Sequence, residues 1–164
     1  MHDHHHHHAP AQDTRPGAPL NRLALSATVH CLSGCAIGEV LGKVAGTALH
    51  WNNAATIATS IVLAFISGYA LTMLPLLRSG MAFRAAAALA LAADSVSIMI
   101  MEIVDNAIML IIPGAMDAHV SDPMFWGSLV ASLVIAGAAA FPVNRWLIRR
   151  GKGHAVVHSR HHHG

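Results

Sequence analysis

The sequence predicts an all-α membrane protein, a bundle of four transmembrane helices with polar, His-rich tails. Of the 164 residues, 54% are hydrophobic and only 11% are charged, whereas soluble domains carry about 25% charged residues. The apolar residues fall into four runs, each longer than the ~20 residues that a helix needs to cross a ~30 Å hydrocarbon layer. The formal net charge of +2 gives no reason to expect a nucleic-acid partner.

The four runs define the predicted helices of a single membrane domain. They cover residues 23–49, 54–77, 81–112 and 125–148. The third run is long enough to tilt or to extend beyond one face of the bilayer. Residues 1–22 form a polar tail that we expect to be disordered, and residues 149–164 form a second, basic tail. The first apolar run starts late and lacks a small-residue cleavage site, so no signal peptide is predicted.

The basic residues predict the orientation of the helices. The loops after the first and third helices contain no Lys or Arg, whereas the two flanks and the middle loop contain Arg15, Arg22, Arg78, Arg84, Arg145, Arg149, Arg150 and Lys152. Cytoplasmic loops are enriched in these residues. We therefore expect a multi-pass protein of the bacterial inner membrane with both termini in the cytoplasm. Trp51, Trp126 and Trp146 fall at the predicted membrane interfaces, where tryptophan is common.

A stripe of glycines runs along the first helix. Gly34, Gly38, Gly42 and Gly46 recur every four residues. Small residues at this spacing let a second helix approach closely within a membrane. The stripe predicts tight helix packing, either inside the bundle or in a homo-oligomer, and we assign it no chemistry.

Beside this stripe lie side chains that are costly inside a bilayer. Cys31, Cys35 and Glu39 share one helical face, and His30 precedes Cys31. Ionisable groups there cost at least ~2.5–3.5 kcal/mol each, so they usually mark function. Thiolate and imidazole ligands suit Cu(I) or Zn(II). The alternative is that the cysteines are small buried hydrophobes and that Glu39 pairs with Lys43.

The third helix supplies the predicted complement. Asp94, Met101, Asp105 and Met109 follow one face at steps of seven, four and four residues, and Glu102 lies about 100° to the side of Met101. Counting from the cytoplasmic ends predicts two layers: His30 and Cys31 level with Asp94, and Glu39 level with Met101, Glu102 and Asp105. The alternative is a structural carboxylate network satisfied by Ser95, Ser97, Asn106 and the hydroxyl groups of the second helix.

Most histidines lie in the tails, at His2, His4, His5, His6, His7, His8, His154, His158, His161, His162 and His163. Such tracts bind divalent metals, although the N-terminal run also resembles an expression tag. His50 and His119 fall in the predicted exterior loops, either as solvated residues or at a metal entrance.

The pattern His30-Cys31-x-x-Gly34-Cys35-x-x-Gly38-Glu39, followed by Met101-Glu102-x-x-Asp105-Asn106-x-x-Met109, resembles an uncharacterised bacterial family. That family comprises small polytopic membrane proteins, is described only as a domain of unknown function, and is at times linked with copper oxidases. The resemblance covers roughly residues 23–152. It implies a membrane location and a copper connection, and no established activity.

These observations predict a membrane protein that binds, and transports or hands over, a soft transition metal, with copper favoured over zinc. The expected ligands or proton acceptors are His30, Cys31, Cys35, Glu39, Asp94, Met101, Glu102, Asp105 and Met109. Expected partners are the lipid bilayer and the metal ion, with a second copy of the chain or a copper-handling protein as further options. We expect no enzymatic activity, because the sequence contains no heme-attachment CxxCH, P-loop or serine-hydrolase elbow. The alternatives are a redox subunit holding iron or heme, and a structural or assembly partner without metal.

Overall fold

The computed structural model describes residues 18–150, which form four long helices. They are α1 (Ala18–Ala48), α2 (Asn53–Arg78), α3 (Phe83–Ile111) and α4 (Pro123–Arg149). All four are long and apolar enough to cross a membrane. The predicted four-helix membrane fold is therefore confirmed, and the protein is a multi-pass membrane protein. The largest shift in bounds is at α1, which begins at residue 18 instead of 23. The His-rich parts of both predicted tails lie outside the described residues.

The ends of the helices are fixed by local chemistry. The side chain of Asn52 accepts a hydrogen bond from the backbone N–H of Ala55, which caps α2. Asp122 caps α4 by accepting from the N–H of Met124, and Pro123 occupies the first turn. Gly80 follows α2 with a φ of 88°, a backbone conformation that glycine adopts without strain. Loops of four residues join α1 to α2 and α2 to α3, a loop of eleven residues joins α3 to α4, and consecutive helices run in opposite directions.

The glycine stripe of α1 packs against a matching stripe of small residues on α2. A methyl group at Gly34 would lie 2.7 Å from the Cα of Gly68, and one at Gly38 would overlap the backbone of Ala64. A methyl group at Gly42 would overlap the side chain of Ser60, and one at Gly46 would overlap the side chain of Thr56. The predicted close helix approach is thus confirmed, and it occurs inside one chain.

The helix order around the bundle brings α1 and α3 together across its centre. α1 contacts α2, α3 and α4, whereas α2 and α4 scarcely touch. Parallel helices α1 and α3 therefore form the short diagonal, and the polar faces predicted on both helices meet there. Large apolar side chains such as Val62, Ile103 and Val134 are exposed on the outside, where lipid would cover them.

Candidate functional site

The first polar cluster joins three helices around Asp94. Thr72 of α2 donates a hydrogen bond of 2.5 Å to Asp94 Oδ2. The thiol of Cys31 on α1 lies 4.0 Å from Asp94 Oδ1. His30 Nε2 lies 2.9 Å from Thr72 Oγ1. The Thr72 hydroxyl group therefore links the His30 imidazole to the Asp94 carboxylate.

Thr72 is the member of this cluster that the sequence did not single out. The position has a periodic signal, because Thr56, Ser60, Ala64, Gly68 and Thr72 recur every four residues along α2 and are all buried. That stripe is the one that receives the glycines of α1. Close packing of α1 on α2 therefore brings the Thr72 hydroxyl between His30 and Asp94.

Three sulfur-bearing side chains belong to a buried hydrophobic cluster that adjoins Asp94 through Cys31 and also contains Ala64, Ile98, Ala136 and Ala140. Cys31, Cys35 and Met101 belong to one buried cluster, and each is at most 1% exposed. Both cysteines are free thiols. We call this group the sulfur cluster. Counting along the helices predicts Met101 in the layer of Glu39, whereas in the structure Met101 belongs to the same buried cluster as the two cysteines.

Three carboxylates follow beyond the sulfur cluster. Glu102 lies beside Cys35, and Glu39 interacts electrostatically with both Glu102 and Asp105. All three are buried, with Asp105 fully so. Four of their oxygens, namely Glu39 Oε1, Glu102 Oε1 and both oxygens of Asp105, have no hydrogen-bond partner within residues 18–150. We call these three residues the carboxylate layer.

Lys43 does not neutralise Glu39, contrary to the simplest structural alternative. Its Nζ donates a hydrogen bond of 2.6 Å to the backbone carbonyl of Met116, in the loop after α3. The Lys43 ammonium group interacts electrostatically with the carboxylate of Asp117, in the same loop. One helical turn separates Lys43 from Glu39 along α1, but the long side chain reaches the loop instead.

The predicted structural network accounts for only part of the polar contacts. Asn106 donates to Glu102 Oε2 at 3.4 Å, and also to the backbone carbonyl of Glu102. Ser95 bonds instead to Tyr69 and to the carbonyl of Leu91. Ser97 Oγ has no hydrogen-bond partner among the described residues. The polar side chains predicted from the sequence therefore donate hydrogen bonds to only some of the oxygens in the carboxylate layer.

A second set of polar residues joins α4 to the bundle. Asn144 donates to Thr28 Oγ1 at 2.9 Å, and both side chains are buried. Ser132 of α4 lies beside Asp105, although its hydroxyl donates to the carbonyl of Leu129. Sequence analysis did not identify these residues, because single polar residues on an apolar helix carry no spacing pattern. Their effect is to hold α4 against the α1–α3 diagonal.

Two cavities continue from the carboxylate layer towards the loops. The inner one, the Glu39 cavity, has a volume of about 10 Å³, enough for roughly one water molecule. It is lined by Glu39, Lys43, Thr56, Ile57, Ser60, Asn106, Met109, Ala115, Met116 and Phe125. The outer one, the vestibule, has about 340 Å³ and includes His50, Trp51, Asp117 and His119. Lys43, Thr56 and Met116 line both.

The predicted metal ligands are brought near one another without forming a finished site. Within residues 18–150, no three His, Cys, Asp or Glu side chains converge closely enough to hold a metal ion. Methionine is outside that set of residue types, and Met101 is the residue that accompanies both cysteines. Met109 lies apart from the sulfur cluster and lines the Glu39 cavity. The nine predicted residues are thus spread over several depths of the bundle.

Comparison with known proteins places the chain in a family. Residues 21–153 match the family described as Domain of unknown function (DUF4396). No curated protein and no solved structure matches. The match takes in well over half of the chain, and its description gives no ligand, reaction or partner, so the copper connection stays a prediction. On this match, the chain belongs to the DUF4396 family of uncharacterised proteins.

Proposed function

We propose that this membrane protein binds a soft transition metal ion within the bilayer and transports it or hands it to a partner. Copper is favoured over zinc. The observation that carries the proposal is the sulfur cluster, in which Cys31, Cys35 and Met101 are packed together at the centre of the bundle. Two thiols and a thioether form a donor set that suits Cu(I).

The surroundings of the sulfur cluster support this choice. Asp94 lies next to Cys31, and Glu102 lies next to Cys35. Metal-binding thiols must lose their protons, and the Asp94 carboxylate beside Cys31 can accept one. In this proposal His30 and Asp94 complete or orient the ligand set, while Glu39, Glu102, Asp105 and Met109 form later positions along the route.

Binding requires the sulfur-bearing side chains to move closer. The free side chains do not converge as a finished metal site, so the metal itself would draw them together. Cys31 and Cys35 are one helical turn apart on α1, and Met101 is an unbranched side chain with several rotatable bonds. These features favour a site that forms on binding and releases its ion again, as a carrier needs.

The test is Cu(I) binding to the purified full-length chain in detergent, under reducing conditions and in competition with a chromophoric Cu(I) chelator. We expect Cys31→Ser combined with Cys35→Ser to remove the bilayer site, and Met101→Leu to weaken it by about tenfold. Met99→Leu is the matched control, because Met99 is 54% exposed on the same helix. The His-rich tails are unchanged in all variants, so their binding cancels in the comparison.

The competing functions give different results in the same preparation. A heme-binding redox subunit would show visible absorbance, and iron would dominate in elemental analysis. A purely structural protein would bind the same amount of copper with and without its two cysteines, which would rule out the proposal. The proposal also places the protein in the inner membrane with cytoplasmic termini, as the arginine distribution favours.

A further inference from the structure

We propose that the Glu39 cavity is a binding site for one small, hard monovalent cation such as Na⁺, distinct from the sulfur cluster. This inference goes beyond the proposed function, because it requires neither copper nor the cysteines. It rests on the donors that line the cavity, on the buried Glu39 oxygen without a hydrogen-bond partner within residues 18–150, on the size of the cavity and on its position behind the vestibule.

The donors around the cavity are oxygens. Glu39 offers a carboxylate, Thr56 and Ser60 offer hydroxyl groups, and Asn106 offers a side-chain amide. Hard cations select carboxylate, hydroxyl and carbonyl oxygens, whereas soft metals select thiolate and thioether sulfur. The only sulfur atoms in the lining belong to Met109 and Met116. The Glu39 cavity and the sulfur cluster therefore favour different classes of ion.

The carboxylate of Glu39 has no lysine or arginine partner within residues 18–150. Glu39 is only 8% exposed, and its Oε1 has no hydrogen-bond partner within the described chain. Glu102 and Asp105 lie nearby, and three of their oxygens likewise have no hydrogen-bond partner within the described chain. Lys43 lines the cavity but bonds to the carbonyl of Met116. A cation in the cavity would supply the partner that these buried carboxylates otherwise lack.

The size of the cavity selects among hard cations. At about 10 Å³ it admits roughly one water-sized particle. Mg²⁺ gives up its water reluctantly and usually retains several ligand waters, for which this cavity has no room. A monovalent ion that exchanges its hydration shell for the lining oxygens fits instead.

The route to the cavity comes from the vestibule. Lys43, Thr56 and Met116 line both spaces, so they form the boundary between them. The ammonium group of Lys43 is held at this boundary by its bond to Met116. A cation that enters from the vestibule passes this charge, and Lys43 therefore limits both its arrival and its departure.

The test is the thermal stability of the full-length protein in detergent, with chelators that remove copper and other transition metals. NaCl replaces choline chloride at constant ionic strength. We expect a saturable rise in the melting temperature with Na⁺, because a ligand that binds only the folded state stabilises it. The rise should vanish in Glu39→Gln. In Ser60→Ala, the same rise in melting temperature should require a several-fold higher Na⁺ concentration. This variant tests the inference even if Glu39→Gln does not fold.

Ser33→Ala is the matched control for Ser60→Ala. It removes an exposed hydroxyl group of α1 that donates to the carbonyl of Val29 and does not line the Glu39 cavity. Its Na⁺ response should equal that of the unaltered protein. The Cys31→Ser, Cys35→Ser double variant should also keep the response, which separates this inference from the copper proposal. No Na⁺-specific rise, a response that survives in both Glu39→Gln and Ser60→Ala, or one that disappears in Ser33→Ala would each overturn the inference.

Discussion

Lys43 Nζ donates a 2.6 Å hydrogen bond to the backbone carbonyl of Met116, away from the Glu39 carboxylate one helical turn along the same helix. The loop between α3 and α4 thereby binds the only lysine of α1, which lies near the end of that helix. Glu39, Glu102 and Asp105 are left without a lysine or arginine partner among residues 18–150.

Replacing Lys43 with Met should strengthen cation binding in the Glu39 cavity. The change removes a positive charge from the cavity wall and keeps a long side chain there. We expect the Na⁺ concentration at half effect to fall on the order of fivefold, about 1 kcal/mol. Lys43→Arg retains the charge and is the matched control. An unchanged midpoint in Lys43→Met would mean that the ammonium does not act on the cavity.

The orientation of the bundle can be read from reporter fusions. The arginine distribution predicts that the middle loop and both termini lie in the cytoplasm. Fusions at Asn53 and His119 should therefore report the exterior, and a fusion at Ser79 should report the cytoplasm. An exterior reading at Ser79 would reverse the assignment, and the vestibule would then open to the cytoplasm.

The two cysteines should act as one unit in copper binding. Both belong to the sulfur cluster and lie one turn apart on α1. Cys31→Ser and Cys35→Ser should each remove most of the bilayer-bound copper, and the double variant should add little further loss. Such non-additivity is expected of residues that share one ligand. Two equal and additive losses would indicate separate sites.

Copper loading should release protons and should weaken as the pH falls. Bare ionised carboxylates are too costly to bury, so we expect the carboxylate layer to be protonated in the cation-free protein and ionised when the site is filled. Thiol ligands also lose protons on binding. Glu102→Gln should reduce the measured proton release and keep the fold. Copper affinity that is constant between about pH 5 and 8, where imidazole also titrates, would contradict this mechanism.

The α1–α2 interface should tolerate no added methyl group at its centre. A Cβ at Gly38 would overlap the backbone of Ala64, which cannot rotate away as a side chain could. We expect Gly38→Ala to destabilise the protein by roughly 1–3 kcal/mol, as overpacking does. Gly127→Ala is the control, since a Cβ there has no heavy atom within 4 Å. It should be neutral or slightly stabilising, because alanine is the better helix former. Thermal unfolding in detergent measures both.

The helices and the meeting of α1 with α3 could be predicted from sequence, because run length and four-residue spacing are properties of one helix at a time. The contact of Cys31 with Asp94 follows from counting residues inward along two parallel spans. The partner of Lys43 could not be predicted, since the Met116 carbonyl belongs to an irregular loop whose path depends on how α3 and α4 are joined. Thr72 was expected only as one of several hydroxyl groups of the second helix, and its hydrogen bond to Asp94 agrees with that expectation. Ser132 was missed, because its position beside Asp105 depends on the rotation of one helix about another, which hydropathy does not encode.

The matched small-residue stripes of α1 and α2 also restrict how this bundle can change shape. Gly34, Gly38 and Gly42 sit directly against backbone and short side chains, so sliding α1 along α2 would drive backbone into backbone. This packing favours α1 and α2 moving together as one unit. A movement of α3 and α4 relative to that unit would leave the polar residues of α1 in place and would change the distance between Glu39 and the α3 carboxylates.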